Sequence, residues 1–514
     1  MNGAEALVRT ALAGGVEVCF ANPGTTEMPL VAALDASDRM RAVLALFEGV
    51  CTGAADGYAR IAGKPAMTLL HLGPGFANGI ANLHNARRAR SPIVNVVGDH
   101  ATWHLSADAP LTSDIVSLAR PVSGWIREVR AAAACGRDMA EAIGAAVAPP
   151  GQSATLIVPA DCQWNDADGI ATVPPATDPP LPADAAIKAT ADLLRAHGSR
   201  TLLFMGGQAS LSRGLRAAAR IAARIGCALM CETFPARVER GGAMPFVERL
   251  PYFPEQATAA LGKFAAIALV GARAPVAFFG YPNLPSTLIP NGCAVTTLAT
   301  PEEDAAGALE ALAELLDAKT GASAAASARP PLPSGKLDAT TIGAAIAALM
   351  PENAIAMDEA ATTGLPFFGL SKGAPPHTYL ALTGGAIGQG LPCATGAAVA
   401  APDRKVIAFQ ADGSGMYTVQ ALWTQAREKL NVTNLICNNR RYRILQVELA
   451  RAGITEPGPK ARALTSLADP EINWTAMATG MGVPAVRVES AEELARELTR
   501  ALREPGPNLI EMMI

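Results

Sequence analysis

The sequence predicts an α/β fold of three domains, each a parallel sheet flanked by helices, on three observations. Short β-rich apolar runs alternate with Ala-rich helical stretches along the whole chain. At 514 residues the chain exceeds the roughly 250 to 300 at which a single core stops growing. Two proline-rich segments, VPPATDPPLP at 173–182 and ARPPLPSG at 328–335, the latter preceded by TGASAAASA, have the composition of interdomain linkers. They leave pieces of about 170, 150 and 180 residues, each of ordinary domain size. The expected domains are 1–172, 183–327 and 336–514.

Taken in order, the candidate strands of the first piece are AMTLLHL, PIVNVVGD and ATLIVPA. The second offers TLLFMGG and AIALVGA, and the third KVIAFQAD and VTNLICNN. The C-terminal stretch from Asn473 reads as helix, strand, helix, strand. In open parallel sheets ligands bind beyond the carboxyl ends of the strands, so the residues directly after these runs are the ones to interrogate.

Composition narrows the function. Half of the residues are hydrophobic, 17% are charged and the net charge is −4, which favours neither disorder nor a nucleic-acid surface. The N-terminal residues lack the basic-then-apolar order of a secretory signal. No uncharged apolar run reaches the roughly 18 residues of a membrane span. Nine cysteines without a CxxC pair are expected to be buried thiols of a reducing cytoplasm. The expectation is a cytoplasmic enzyme acting on a small molecule.

The segment KVIAFQADGSGMYTVQALWTQAREKLNVTNLICNNRRYRIL is the most informative. A strand ending at Gln410, a turn at Asp412, Gly413 and Ser414, an amphipathic helix to about Leu430 and a second strand ending at Asn438 and Asn439 would set Asp412 beside Asn439. A carboxylate and an amide oxygen suit Mg²⁺, with a backbone carbonyl near Arg441 as a third ligand. Gly413 lets the backbone approach a diphosphate, to which Ser414 and the helix N-terminus would donate hydrogen bonds.

This motif resembles the thiamine-diphosphate (ThDP) signature, Gly-Asp-Gly followed by Asn-Asn, with Ala411 in place of the first Gly. Upstream, NPGTTEMP (Asn22–Pro29), LALFEGVCTGAADGYARIAGKPA (Leu44–Ala66) and LLHLGPGFANGIANLHNARRARSPI resemble the pyrimidine-binding domain of the acetolactate synthase and benzoylformate decarboxylase family. The resemblance implies ThDP and Mg²⁺ as cofactors, a 2-oxo acid as substrate, and decarboxylation or carboligation as the reaction. It implies pyrimidine-binding, central and diphosphate-binding domains. It also implies a homo-oligomer, with a homodimer as the smallest active form and a dimer of dimers expected, because the two domains sharing a cofactor come from different subunits.

By the same resemblance Glu48 is the activating carboxylate that hydrogen-bonds the aminopyrimidine. In LTGGAIGQGLP, Gly385 approaches the pyrimidine and Ile387 is the wedge that bends the cofactor. His71 and Thr25 face substrate, and an imidazole there can bind a carboxylate or move protons. Where benzoylformate decarboxylases carry a second histidine, VAFFGYPN offers Gly280. His100, His104 and His377 are further candidates; the first two, spaced i, i+4, raise a metal site. ARRARS (Ala86–Ser91) is expected to be a solvated helix end. Two rivals stay open: an acetolactate synthase carrying FAD in the middle domain, although MGGQASLSRG lacks a clear dinucleotide fingerprint, and a catalytically silent ThDP-fold subunit.

Overall fold

The computed structural model describes residues 1–319 and 327–514, so most of the expected TGASAAASA linker lies outside the described residues. All seven candidate strands form. The first sheet contains β1 (Val18–Asn22), β2 (Arg41–Leu44), β3 (Ala66–His71), β4 (Ile93–Asp99), β5 (Trp125–Glu128) and β6 (Ser153–Pro159), all parallel, in the order β2-β1-β3-β4-β6-β5. β4 and β6 are buried at every position, as expected of strands covered on both faces.

The middle of the chain supplies β7 (Thr201–Met205), β8 (Ala228–Cys231), β9 (Val238–Arg240), β10 (Glu248–Arg249), β11 (Ala266–Val270) and β12 (Ala294–Ala299). Five of these form a parallel sheet in the order β10-β8-β7-β11-β12, whose topological switch lies between β7 and β11. The sixth, β9, leaves it and pairs antiparallel with β14 of the third sheet, Val238 opposite Tyr379.

The third sheet adds β13 (Ile355–Glu359), β14 (His377–Ala381), β15 (Val406–Ala411), β16 (Val432–Asn438), β17 (Ala485–Val488) and β18 (Asn508–Met513), in the order β17-β18-β16-β15-β13-β14-β9. The C-terminal stretch folds as helix Trp474–Gly480, β17, helix Ala491–Arg503 and β18. The proline-rich segment 173–182 runs without helix or strand. No described helix is long and apolar enough to cross a membrane.

One contact positions the site. Helix Glu48–Ala62 lies against helix Gly390–Ala400, and glycines make the approach possible: a Cβ on Gly53 would lie 2.6 Å from Pro392, and Cβ atoms on Gly57 and Gly396 would collide with the backbones of Cys393 and Ala54. A shared apolar core runs across this seam, joining Val50, Ala54 and Tyr58 to Leu391, Ala394 and Ala397. Burying each of its larger side chains contributes about 1.5–3 kcal/mol.

The structure corrects two sequence expectations at this level. The helix expected between the Asp412–Ser414 turn and about Leu430 is not continuous: that turn is a short helical turn, Asp412–Gly415, followed by a 3-10 turn at Met416–Thr418 and a helix at Ala421–Arg427. Gly415 ends the first helical turn where a Cβ would lie 2.7 Å from the Trp474 ring. ARRARS is not wholly solvated: Arg87 and Arg88 are exposed, but the buried Ser91 hydroxyl donates to Asp56.

Candidate functional site

β15 and β16 are neighbours in register, Ala411 opposite Cys437, so Asp412 and Asn439 emerge side by side. The Asp412 carboxylate is 2% exposed and accepts the backbone N–H groups of Gly413 and Arg440, each at 2.8 Å. No Lys or Arg among the described residues pairs with it, and burial raises its pKa. The Asn439 Oδ1 accepts from Arg441 N–H at 3.0 Å, and Ser414 Oγ donates to the Ala411 carbonyl at 3.3 Å. A buried carboxylate without a countercharge beside an amide oxygen fits a hard cation. Gly413 leaves room that the Tyr442 ring occupies.

The loop Leu382–Gln389 lies close by, and its backbone is clamped. Gly385 has φ +77°, a left-handed conformation suited to glycine, and a Cβ there would meet the Phe278 ring. Ile387 is half-buried. Glu359, at the end of β13, accepts Gly388 N–H at 2.6 Å as well as Gly390 N–H, and burial pushes its carboxyl up to about 7. From the first domain, Asn85 bonds both backbone groups of Ala386, and Arg60 donates to the Ala381 carbonyl at 2.8 Å and the Thr383 hydroxyl at 2.9 Å. Arg60 is paired at 2.7 Å with the buried Asp56, which also accepts from Gln389.

The remaining expected residues gather at the carboxyl ends of the first sheet. Glu48 opens its helix, is 7% exposed, and accepts the Asn78 amide at 2.9 Å. Gly75 lies between it and His71: a Cβ there would sit 3.1 Å from the Glu48 carboxylate and 3.4 Å from His71 Cβ. His71 Nδ1 lies 2.7 Å from the fully buried Glu27 carboxylate. Donation from Nδ1–H to Glu27 fixes the ring and directs Nε2 away from Glu27, where it donates when the ring is protonated and accepts when it is neutral. Glu27 is itself held by Gly24 N–H at 2.8 Å and by the Thr26 hydroxyl. Thr25 is exposed; it is Thr26 whose hydroxyl lies 3.4 Å from His71.

Three of the nine non-glycine residues with positive φ among the described residues lie here. Leu72 directly after β3, Ala361 just after β13 and Arg440 just after β16 all have φ near +50°, at 54°, 48° and 57°. A non-glycine residue holds such an angle where its surroundings over-determine it.

The other histidines stay apart. His100 and His104 stack edge to face at 5.4 Å on a loop rather than a helix, and the described residues include no group of three or more metal-ligating side chains. His377 is buried at the opposite end of β14, with Nδ1 2.8 Å from the Pro375 carbonyl and its pKa pushed down to about 4 by burial. Gly280 is exposed with open space around it, so Phe278 is the side chain of that loop that reaches Gly385.

Glu27, Glu359 and Asn85 escaped sequence reasoning. Two of them had local signals: Glu27 in NPGTTE is placed to cap its own turn at Gly24, and Glu359 ends an apolar run, IAMDE.

Residues 1–118 match the family model described as thiamine pyrophosphate enzyme, N-terminal TPP binding domain, and residues 366–512 match its C-terminal TPP binding domain. A Mycobacterium tuberculosis protein provisionally named acetolactate synthase large subunit IlvX is 53% identical over 100% of this chain and 99% of its own. The benzoylformate decarboxylase of Pseudomonas aeruginosa is 29% identical, covering 97% of this chain and 96% of its own. Among solved structures, the thiamine diphosphate-dependent 4-hydroxybenzoylformate decarboxylase of Rhodococcus jostii superposes with a TM-score of 0.86 at 25% identity, covering 99% of this chain and 98% of that one. With both cofactor-binding modules matched and a relative this similar over the full length, the chain belongs to the thiamine pyrophosphate enzyme family.

Proposed function

We propose that this chain is a Mg²⁺- and ThDP-dependent enzyme that decarboxylates or ligates 2-oxo acids. The observation that carries the reading is the buried, uncompensated Asp412 carboxylate set beside Asn439 at the ends of adjacent parallel strands. Asp412, Asn439 and the Arg441 carbonyl would hold the metal, and Gly413 and Ser414 the diphosphate. Gly385 and Ile387 would shape the bound cofactor, and Glu48 would hold a proton at the aminopyrimidine. ThDP, when bound, supplies the nucleophilic carbon and the electron sink that decarboxylation requires. His71, oriented by Glu27, would bind the substrate carboxylate or move a proton at the reacting carbon, with Thr25 at the rim. Burial around Glu48 excludes water from the proton it manages.

Membership of a family whose N- and C-terminal TPP binding domains share the cofactor between subunits supports a homodimer or a dimer of dimers. Domains at 1–172, 183–327 and 336–514 and a cytoplasmic location complete the reading.

The test is incubation of purified protein with ThDP, Mg²⁺ and a panel of 2-oxo acids from pyruvate to benzoylformate, following CO₂ and carbonyl products together. CO₂ with a free aldehyde marks a decarboxylase; CO₂ with a hydroxy ketone or acetohydroxy acid marks a synthase. Activity unchanged in Glu48→Gln sinks the mechanism, and bound ThDP without any turnover favours the silent subunit.

A second reading has its own observation. A cleft of about 1390 Å³ opens at the carboxyl ends of β7, β8 and β11, lined by Gly207, Gln208, Glu232 and Arg273 and reaching Phe278 and Thr383. Glu232 follows β8, where dinucleotide-binding sheets place the acid that takes ribose hydroxyls. This supports the FAD-containing alternative; flavin released on denaturing the purified protein tests it.

A further inference from the structure

Helix Leu72–Ala89 carries a polar stripe that the proposed function leaves unexplained. Gly75, Asn78, Asn82 and Asn85 recur at steps of three and four, so they share one face of the helix. At one end Asn78 holds Glu48. In the middle Asn82 donates to the Gly49 carbonyl at 2.8 Å and reaches the Gly388 carbonyl at 3.4 Å. At the other end Asn85, fully buried, bonds both backbone groups of a single loop residue. Its Nδ2 donates to the Ala386 carbonyl at 2.8 Å, and its Oδ1 accepts the Ala386 N–H at 3.2 Å. The carboxamide thus pairs with one residue of the loop as a neighbouring strand would. The loop has no strand beside it there, and without Asn85 both groups of Ala386 would lose these partners.

We propose that Asn85 is a positioning residue for the cofactor, fixing the peptides on either side of Ala386 and with them the Gly385 carbonyl and the Ile387 side chain. Asn85 acts through the loop and need not touch the cofactor. It is itself fixed: Nδ2 also donates to Asn82 Oδ1 at 3.0 Å, and its backbone carbonyl accepts the Thr383 hydroxyl at 2.7 Å. A carboxamide offers donor and acceptor in one plane, so neither Asp nor Leu, though similar in size, can replace it. The inference rests on the reading that Leu382–Gly390 cups ThDP.

The test compares Asn85→Ala and Asn85→Asp with Asn95→Ala. Asn95 is equally buried and also has two side-chain partners, Thr68 and Thr155, but it lies within β4 away from the loop. ThDP affinity is read by quenching of intrinsic fluorescence with Mg²⁺ present. The ionisation of bound cofactor is read by hydrogen–deuterium exchange at its C2 carbon, and thermal stability is measured without cofactor. Losing two buried hydrogen bonds to the loop is expected to raise the ThDP Kd of Asn85→Ala roughly ten- to a hundredfold. Exchange at saturating ThDP should slow at least about tenfold, because a displaced Ile387 no longer bends the cofactor. Asn85→Asp keeps an acceptor but loses the donor, and should fall between. Asn95→Ala should lose stability with Kd and exchange unchanged. Wild-type Kd and exchange in Asn85→Ala, or equal weakening by Asn95→Ala, overturns the inference. If Asn85→Ala does not fold, the same two readings on Asn85→Asp decide. Wild-type protein that fails to bind ThDP overturns the functional reading and this one together, whereas normal binding by wild type and both Asn85 variants overturns this one alone.

Discussion

Replacing Arg60 by Met tests whether the buried ion pair beneath the Leu382–Gln389 loop holds two domains together. The side chains of Arg60 and Asp56 are 2% and 0% exposed and meet at 2.7 Å. Met preserves the aliphatic stem but leaves the Asp56 carboxylate with only neutral donors, Ser91 and Gln389. The Ala381 carbonyl and Thr383 hydroxyl lose a donor in the same step. Removing one partner of a buried pair costs about 3–5 kcal/mol, chiefly through the charge left behind. For a cooperative unit of 150 to 250 residues each kcal/mol moves Tm by roughly 2–4 °C, so the expected fall is roughly 6–20 °C. Adding Asp56→Asn removes the stranded charge, so the double variant should recover at least about 1 kcal/mol over Arg60→Met. Scanning calorimetry and urea unfolding of the cofactor-free protein measure both effects. A fall below about 2 °C, or a double variant no more stable than Arg60→Met, would refute the reasoning by showing that water already screens the pair.

Three further outcomes are expected. Glu359 is disfavoured as an anion in the fold, with its carboxyl pushed up to about 7 against roughly 4.3 unfolded. Its contribution therefore stabilises the protein as pH falls from about 8 towards 5, and Glu359→Gln should flatten that part of the Tm-against-pH curve; parallel curves would count against the assignment. Asp412→Asn should leave the cofactor-free protein as stable as wild type or more so, since burial disfavours the charge, yet bind ThDP equally with and without EDTA; a persistent EDTA effect would place the metal elsewhere. Glu27→Gln should lower kcat roughly tenfold to a hundredfold with ThDP affinity intact, because His71 loses its orienting carboxylate, whereas Thr25→Ala should change kcat less; the opposite ranking would exchange the two roles.

What was legible in the sequence follows from how far apart the interacting residues lie. The strands were readable from short apolar runs, and the placement of Asp412 and Asn439 just beyond the ends of adjacent strands followed from two consecutive strands joined by a helical crossover. The same segment misled beyond its turn: one helix is expected to run on to about Leu430, whereas a 3-10 turn at Met416–Thr418 separates two short helical pieces. His100 and His104 had the spacing of a ligand pair and lie on a loop, because spacing has that meaning only on a helix. Partners hundreds of residues apart left no local trace. The Asn85 to Ala386 contact spans 301 positions, and nothing near either residue announces it. Its one shadow was the run of asparagines at helical steps, two of which, Asn82 and Asn85, are buried on a helix only half covered. The departure of β9 from its own sheet was equally invisible, since a three-residue strand carries no signature of its partner.

That departure has a bearing on what can be cut from this molecule. The outer edge of the third sheet, His377–Ala381, is fully buried because Val238–Arg240 lies along it. A fragment beginning at residue 336 would keep the Asp412 and Asn439 pair but uncover a strand of free N–H and C=O groups carrying Tyr379 and Leu380, a template for sticking to other copies. The middle of the chain is thus a selvedge as well as a module, and a working cofactor half-site would have to be excised together with the three residues that hem it.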